Sequence, residues 1–162
     1  MTGRAGTEAR SVVHEVAHDV VRAADLRALR TGLVDWVRAM AEGAGATTRE
    51  HAEDTAAHGT ALTERLEDVA TAFYEALTNV VDHAYPEGAG PVRVTARLAV
   101  TGAPGQPWLQ IEISDRGGWR PPPADPGHRG RGLLLLSGLT DGHDLQHETE
   151  GTRVRLWWHR PP

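Results

Sequence analysis

The sequence contains no cysteine and no lysine. The absence of cysteine excludes disulfides, cysteine nucleophiles and zinc-thiolate sites, and it fits a protein of the reducing cytosol. No apolar run approaches the ~20 residues needed to cross a bilayer, and the N-terminus lacks the apolar core of a signal peptide. We therefore expect a cytoplasmic protein that does not contact a membrane.

Positive charge is scarce as well. The chain has 17 basic and 22 acidic residues, which gives a formal net charge of −5. Proteins that bind nucleic acid need a basic face to displace counterions from phosphates, so we expect no direct contact with nucleic acid. The 162 residues, 40% of them apolar, are enough to form a single domain, 1–162, with its own core.

Two amphipathic helices are predicted in the first half of the chain. Apolar residues recur at helical spacing over 26–40, and glycines at positions 43 and 45 end this helix. The second helix is predicted over 60–84, since the residue before a proline, here Tyr85, avoids the helical region. Residues 43–60 are polar and rich in alanine, which indicates a surface insertion that can include a helical turn. Residues 1–10 are predicted to be a flexible tail.

The rest of the chain predicts strands and one short helix. The predicted strands are 11–22, 91–101, 108–114, 143–148 and 152–158. The first is rich in β-branched residues and fits an edge strand, although a helix fits it too. Residues 133–139 are predicted to be a short helix after an irregular glycine- and proline-rich segment. This order predicts an α+β fold: a two-layer sandwich with a mixed, mostly antiparallel sheet and helices on one face.

The second helix carries a polar ridge beside its apolar stripe. Glu75, Asn79 and His83 recur at i, i+4 and i+8, which places them on one side of an α-helix. The apolar stripe steps by three or four residues and consists of Leu62, Leu66, Val69, Phe73, Leu77, Val80 and Ala84. At about 100° per residue, Glu75 and Asn79 lie on the side away from Phe73 and Leu77. One face of this helix therefore packs on a core, while the other offers a carboxylate, an amide and an imidazole. A solvated helix face fits the same spacing.

Two glycine-containing turns complete the pattern. Asp115 follows a predicted strand, and a carboxylate there can accept a hydrogen bond from an exocyclic amine such as adenine N6. Gly117 lets the backbone approach a flat base closely, although a plain Asp-x-Gly turn has the same residues. Further on, the segment 127–132 (Gly-His-Arg-Gly-Arg-Gly) precedes four leucines, so its N–H groups and the helix dipole can bind phosphates.

The ridge supplies the groups that a magnesium nucleotide needs. Magnesium usually keeps several waters and takes one or two protein oxygens together with phosphate oxygens. The carbonyl oxygen of Asn79 can be that ligand without adding negative charge. Glu75, one turn earlier, can accept a proton from an attacking hydroxyl group or water.

In this order the three motifs resemble the nucleotide-binding fold shared by gyrase, the Hsp90 chaperones, histidine kinases and MutL, the GHKL (Bergerat-fold) ATPase superfamily. The resemblance covers roughly residues 60–158. Within the superfamily the chain is most similar to the anti-sigma-factor serine kinases of Gram-positive bacteria. The features that carry this similarity are residues 79–85 (Asn-Val-Val-Asp-His-Ala-Tyr), the Gly-Arg-Gly-Leu-Leu segment and a short lid at 116–131. The composition resembles that of high-GC actinobacteria.

The resemblance implies a role for each site residue. Glu75 would be the catalytic base, Asn79 would hold Mg²⁺, and Asp115 would bind adenine. The remaining ATP-binding residues that it implies are His83, Gly117, Arg129, Gly130, Arg131, Gly132, Leu133 and Thr152. The family usually has a further glycine where this chain has Trp119, so the start of the lid departs from the family pattern.

The function implied is that of an ATP-dependent protein serine/threonine kinase and anti-sigma factor. Such a protein binds a sigma factor in one state and, in another, phosphorylates an anti-anti-sigma antagonist of the STAS type, which controls transcription by partner switching. The resemblance also implies ATP/ADP exchange and allows a homodimer. Two alternatives remain: a nucleotide-gated binding module that transfers no phosphate, and a detached histidine-kinase ATPase domain.

Overall fold

A computed structural model describes residues 11–45, 55–85, 89–99, 107–118, 131–148 and 151–160. These residues form five strands and three helices, in the order β1 (Ser11–Arg22), α1 (Leu26–Gly45), α2 (Thr55–Ala84), β2 (Ala89–Ala99), β3 (Leu109–Asp115), α3 (Arg131–Leu139), β4 (Gly142–Glu148) and β5 (Gly151–Trp158). No helix in these ranges is both long enough and apolar enough to cross a membrane.

The strands form one sheet in the order β1-β2-β3-β5-β4, and all four pairings between neighbours are antiparallel. Both predicted hairpins are confirmed, since β2 pairs with β3 and β4 pairs with β5. Residues 11–22 form a strand and not a helix, and β1 lies at one edge of the sheet as predicted. The predicted α+β fold is therefore confirmed.

The core lies between one face of the sheet and the helices. On β2 the residues at 90, 92, 94, 96 and 98 are buried and those between them are more exposed, which is the alternation of a strand that packs on one face only. The α2 stripe is the other half of this core: Leu66, Val69, Phe73, Leu77 and Val80 are buried. Helix α1 packs on α2, and its Trp36 stacks on His14 of β1 with ring centroids 5.0 Å apart.

The opposite face of the sheet is polar. It carries ion pairs between neighbouring strands, from Arg93 to Glu15 at 2.5 Å and from Arg155 to Glu112 at 2.9 Å. The two adjacent tryptophans near the C-terminus divide between the faces. Trp158 is fully buried in the core and donates a hydrogen bond to the carbonyl of Leu139, whereas Trp157 is half-buried on the polar face.

Two helix boundaries differ from the prediction. Helix α2 begins at Thr55, five residues before the predicted start at 60, and α1 extends to Gly45. Alanine favours helix enough to carry α2 through Gly59, which costs roughly 1 kcal/mol in a helix. The predicted insertion at 43–60 therefore consists of helix at both ends, and residues 46–54 lie outside the described residues, as does the predicted tail at 1–10.

Candidate functional site

Helix α2 places its polar ridge on the flank that borders the apolar stripe. Glu75 and Asn79 are half-buried there, and His83, near the C-terminal end, is exposed. Among the described residues neither Glu75 nor Asn79 has a hydrogen-bond or ion-pair partner. A half-buried carboxylate and amide with free polar atoms can both contact a ligand, which a pair buried apart from each other could not do. The exposed His83 side chain lacks the partial burial that restricts Glu75 and Asn79.

The Asp115 carboxyl group has one oxygen that is held and one that is free. Asp115 is the last residue of β3 and is buried, with 6% of its surface exposed. Its Oδ1 accepts a hydrogen bond of 2.8 Å from the backbone N–H of Gly117. Its Oδ2 is buried and has no partner among the described residues. A buried oxygen without a partner is costly, so this atom is suited to accept a hydrogen bond from a bound molecule.

Burial raises the pKa of Asp115 above its usual 3.8, because a low-dielectric surrounding disfavours the charged form. The backbone N–H of Gly117, the nearby backbone N–H of Thr152 and the charge of His147 act in the opposite direction and lower it. Of these two N–H groups only that of Gly117 has hydrogen-bond geometry, to Oδ1, and the Thr152 N–H makes no hydrogen bond to Oδ2. His147 and Thr152 face each other across the β4–β5 pair. Burial therefore opposes ionisation of this carboxyl group, and the neighbouring N–H groups and His147 favour it. Burial has the largest effect on the pKa.

Close backbone contacts fix the position of this turn. A Cβ atom added at Gly117 would collide with the carbonyl oxygen of Ala84, the last residue of α2. Gly151 has a φ of +109°, and a Cβ atom there would collide with the carbonyl oxygen of Asp115. Only glycine fits these two positions. In the structure the missing side chain of Gly117 admits the end of α2, and the predicted approach of a flat base to Gly117 stays a prediction.

Tyr85 joins the same region from the other side. Its hydroxyl donates a hydrogen bond of 2.5 Å to the carbonyl of Pro91 and accepts one of 3.0 Å from the backbone N–H of Arg116. Burial, the largest cause, raises the pKa of Tyr85 above 10.0, the Arg116 N–H lowers it and the nearby Asp115 raises it further. Tyr85 was not among the predicted site residues, although it closes the 79–85 segment. Gly151 was not among them either.

The site groups follow one another along the axis of α2. An α-helix rises 1.5 Å per residue, so Asn79 lies about 7.5 Å and Glu75 about 13.5 Å along the axis from Ala84, which touches the Asp115 turn. From the C-terminal end of α2 toward its N-terminus, the order is therefore the Asp115 carboxyl group, the Asn79 amide and the Glu75 carboxylate. The groups that bind a base, a metal and a terminal phosphate would need this same order along an extended nucleotide.

The glycine-rich loop is only partly described. Arg129 and Gly130 lie outside the described residues, as does the rest of 119–130, which includes most of the predicted lid. Helix α3 begins at Arg131, so Gly132 and Leu133 belong to its first turn, whereas the prediction placed the start at Leu133. The helix packs against α2, and Arg65 of α2 lies 3.6 Å from Asp141 just after α3.

Helix α3 thus lies against α2, the helix that carries the polar ridge. The N-terminus of α3 follows the glycine-rich loop directly in the sequence. Thr152, the last predicted site residue, is half-buried on β5 directly after Gly151. The described residues bring Asp115, Gly117 and Thr152 together at the end of α2.

The sequence model of one protein family, described as a histidine kinase-like ATPase domain, matches residues 20–158. The matched range covers all of α1, α2, α3 and β2–β5. A search of the curated proteins found none that matches the chain.

Proposed function

The chain belongs to the family of histidine kinase-like ATPase domains, and from this premise we propose that it is an ATP-binding anti-sigma regulatory factor that phosphorylates a serine on an antagonist protein. An ATPase domain implies that ATP is bound. The transfer to serine and the partner switch are supported by the resemblance of residues 79–85, the Gly-Arg-Gly-Leu-Leu segment and the short lid to the anti-sigma-factor kinases.

The observation that carries ATP binding is the unpartnered Oδ2 atom of Asp115. The exocyclic amine of adenine donates hydrogen bonds, and a buried acceptor without a partner gains most from such a donor. Guanine has a carbonyl oxygen at the corresponding position, which would face the carboxylate without a hydrogen bond between them. The proposed site therefore selects adenine over guanine nucleotides.

The phosphates would lie along α2, between its ridge and the first turn of α3. Asn79 is the residue that would hold Mg²⁺, and a bound magnesium ion would neutralise part of the phosphate charge. The amide is half-buried and has no partner among the described residues, so its carbonyl oxygen is available for this contact. The first turn of α3 adds the positive end of its dipole to the same region.

In the proposed transfer the serine oxygen of the antagonist forms a bond to the γ-phosphorus, and the bond from that phosphorus to the β–γ bridging oxygen breaks. The Glu75 carboxylate accepts the serine proton, and ADP leaves with the bridging oxygen. The phosphoserine carries roughly −1.5 to −2 charges at neutral pH, which is enough to disrupt a docked interface. The antagonist would then dissociate and leave the kinase free to bind the sigma factor.

Incubation with γ-labelled ATP and purified STAS-type proteins from the same organism tests this function. Label that appears on a serine of one of them supports the kinase. Tight binding of ATP without transfer to any of them supports the nucleotide-gated binding module instead. Label on a histidine of the chain itself would favour the detached histidine-kinase domain. Equal affinity for ATP and GTP would contradict the role of Asp115 at the base.

A further inference from the structure

Tyr85 occupies the junction of three elements next to the Asp115 turn. It is the first residue after α2, its hydroxyl donates to the carbonyl of Pro91 in β2, and it accepts from the N–H of Arg116 directly after β3. The ring has room there because Gly90 has no side chain: a Cβ atom at Gly90 would collide with it. One hydroxyl group therefore ties the end of α2 to β2 and to the turn.

The two peptide N–H groups of the turn are held by different side chains. The hydroxyl of Tyr85 binds the N–H of Arg116, and Oδ1 of Asp115 binds the N–H of Gly117. The peptide groups that carry these two N–H groups are joined through the Cα atom of Arg116, so a displacement of one moves the other. Loss of the Tyr85 contact would free the peptide before Arg116 and, with it, the Gly117 N–H that orients the carboxyl group.

We infer that Tyr85 is a positioning residue for base recognition: its hydroxyl holds the Asp115–Gly117 turn so that Oδ2 of Asp115 points to the adenine amine. This inference rests on the proposed binding of ATP. Because Tyr85 directly follows Ala84, the same contact holds the Asp115–Gly117 turn in a constant position relative to the polar ridge on α2. Tyr85 touches neither the base nor the phosphates in this role.

The test is the Tyr85→Phe variant of the full chain, with Tyr74→Phe as the matched control. Tyr74 is the only other tyrosine, it is half-buried on α2, and it has no hydrogen-bond partner among the described residues. Loss of one hydrogen bond of typical strength should weaken ATP binding roughly 3- to 10-fold in Tyr85→Phe. Binding of inorganic tripolyphosphate with Mg²⁺, which has no base, should stay unchanged in both variants.

The pH profile separates positioning from simple destabilisation. If the turn opens to water in Tyr85→Phe, Asp115 loses both its burial, which raises its pKa, and the Gly117 hydrogen bond, which lowers it. Burial is the larger cause, so the pKa moves down toward 3.8. The acid limb of ATP affinity should then shift to lower pH, while Tyr74→Phe keeps the parental limb. A lower melting temperature with an unmoved acid limb would overturn the inference. So would an equal loss of affinity for ATP and tripolyphosphate.

A second variant reaches the same contact by another route. In Gly90→Ala the added methyl group displaces the Tyr85 ring without removing the hydroxyl. It should reproduce the affinity loss of Tyr85→Phe, and the double variant should lose little more than either single one. Additive losses would contradict a shared cause.

Amide hydrogen exchange tests the contact in the absence of nucleotide. The Arg116 amide should exchange faster in Tyr85→Phe than in the parent and in Tyr74→Phe, and equal exchange rates would overturn the inference. A parent protein that shows this protection but does not bind ATP would refute the proposed function instead. The two failures are therefore distinguishable.

Discussion

The two ends of the candidate site are built differently. At the base end, the Asp115 turn is buried and is fixed by a glycine on each side, by the Gly117 N–H and by the hydroxyl of Tyr85. At the phosphate end, Glu75 and Asn79 project from one flank of α2 without a partner among the described residues. The rigid end suits recognition of a flat base, because selectivity requires an acceptor whose position does not adapt.

The phosphate end has the opposite requirement. In the proposed function its side chains would contact a charged group that changes during the reaction, and a metal ion that brings its own water ligands. Polar groups that are half-buried and unpaired can adjust to these changes at little cost. We therefore expect substitutions at the phosphate end to affect transfer and metal dependence, and substitutions at the base end to affect affinity and nucleotide choice.

The largest effect is expected for Glu75→Gln. The amide keeps the shape of the side chain but cannot accept the serine proton, so the rate of transfer to the antagonist should fall about 10²- to 10⁴-fold. The dissociation constant for ATP, measured by calorimetry, should change little because Glu75 does not bind the base. Transfer at the parental rate would show that another group accepts the proton.

Asp115→Asn should have the next largest effect, and on binding. The amide can turn its NH₂ group toward the amine of adenine, so that two donors face each other, and ATP affinity should fall roughly 100-fold. Asp82→Asn, at an exposed position of α2, is the control and should bind ATP normally. If Asp115→Asn keeps its preference for ATP over GTP, the base does not lie at this carboxylate.

The same variant should be more stable to heat at neutral pH. The pKa of Asp115 is raised in the folded state, so the stability that this group contributes is fully present below about pH 3.8 and is lost as the pH rises through the folded pKa. At pH 7 the buried carboxylate is therefore a cost, and Asn removes it. The melting temperature of Asp115→Asn should exceed that of the parent at pH 7 and approach it in acid.

Asn79→Ala should affect metal dependence. ATP affinity in the presence of Mg²⁺ should fall about tenfold, since one protein ligand is lost while the phosphate and water ligands remain. Affinity in EDTA should equal that of the parent in EDTA. Titration of ATP with and without Mg²⁺ measures both. A loss of the same size without metal would assign Asn79 to the phosphates themselves.

The pH dependence of binding gives a smaller effect that reports on the base end alone. Protonation of Asp115 would place a hydrogen on Oδ2, since Oδ1 is occupied by the Gly117 N–H. Because burial raises this pKa, adenosine affinity should begin to weaken at a pH above the usual 3.8. Asp115→Asn should lack this acid limb, and an identical limb in the variant would assign it to another group.

The smallest effect is expected at His83. Its side chain is exposed at the end of α2, whereas Glu75 and Asn79 are half-buried. An exposed charge is screened by water and salt, so His83→Ala should change ATP affinity less than about threefold. A loss larger than tenfold would show that the ridge extends to a third residue, and would make the phosphate end longer than the geometry suggests.

Much of the fold could be predicted because the sequence is locally periodic. The three- and four-residue steps of α2 and the alternation of β2 follow from which side of each element faces the core, and that information lies within a few neighbouring residues. The polar ridge was predictable for the same reason. The predicted start of α2 was wrong because the alanine-rich, polar residues at 55–59 fit a helix and a loop equally well.

The Asp115 turn shows where the sequence stops being informative. Its position after a strand was predictable, but the sequence does not contain the burial of the carboxyl group, the free Oδ2 atom or the contact with Tyr85, which is 31 residues away in the chain. Gly117 was predicted from its freedom to approach a ligand, and the structure shows that it approaches Ala84.

The sequence by itself thus determined the elements, the face that each one buries, and the spacing of Glu75 and Asn79 on one helix, because these depend on local backbone geometry. Only the tertiary structure decided that Tyr85 and Gly151 meet at Asp115 and leave one of its oxygens unpaired. Contacts between distant elements depend on how whole layers pack, and side-chain periodicity records which way a residue faces but not what it meets.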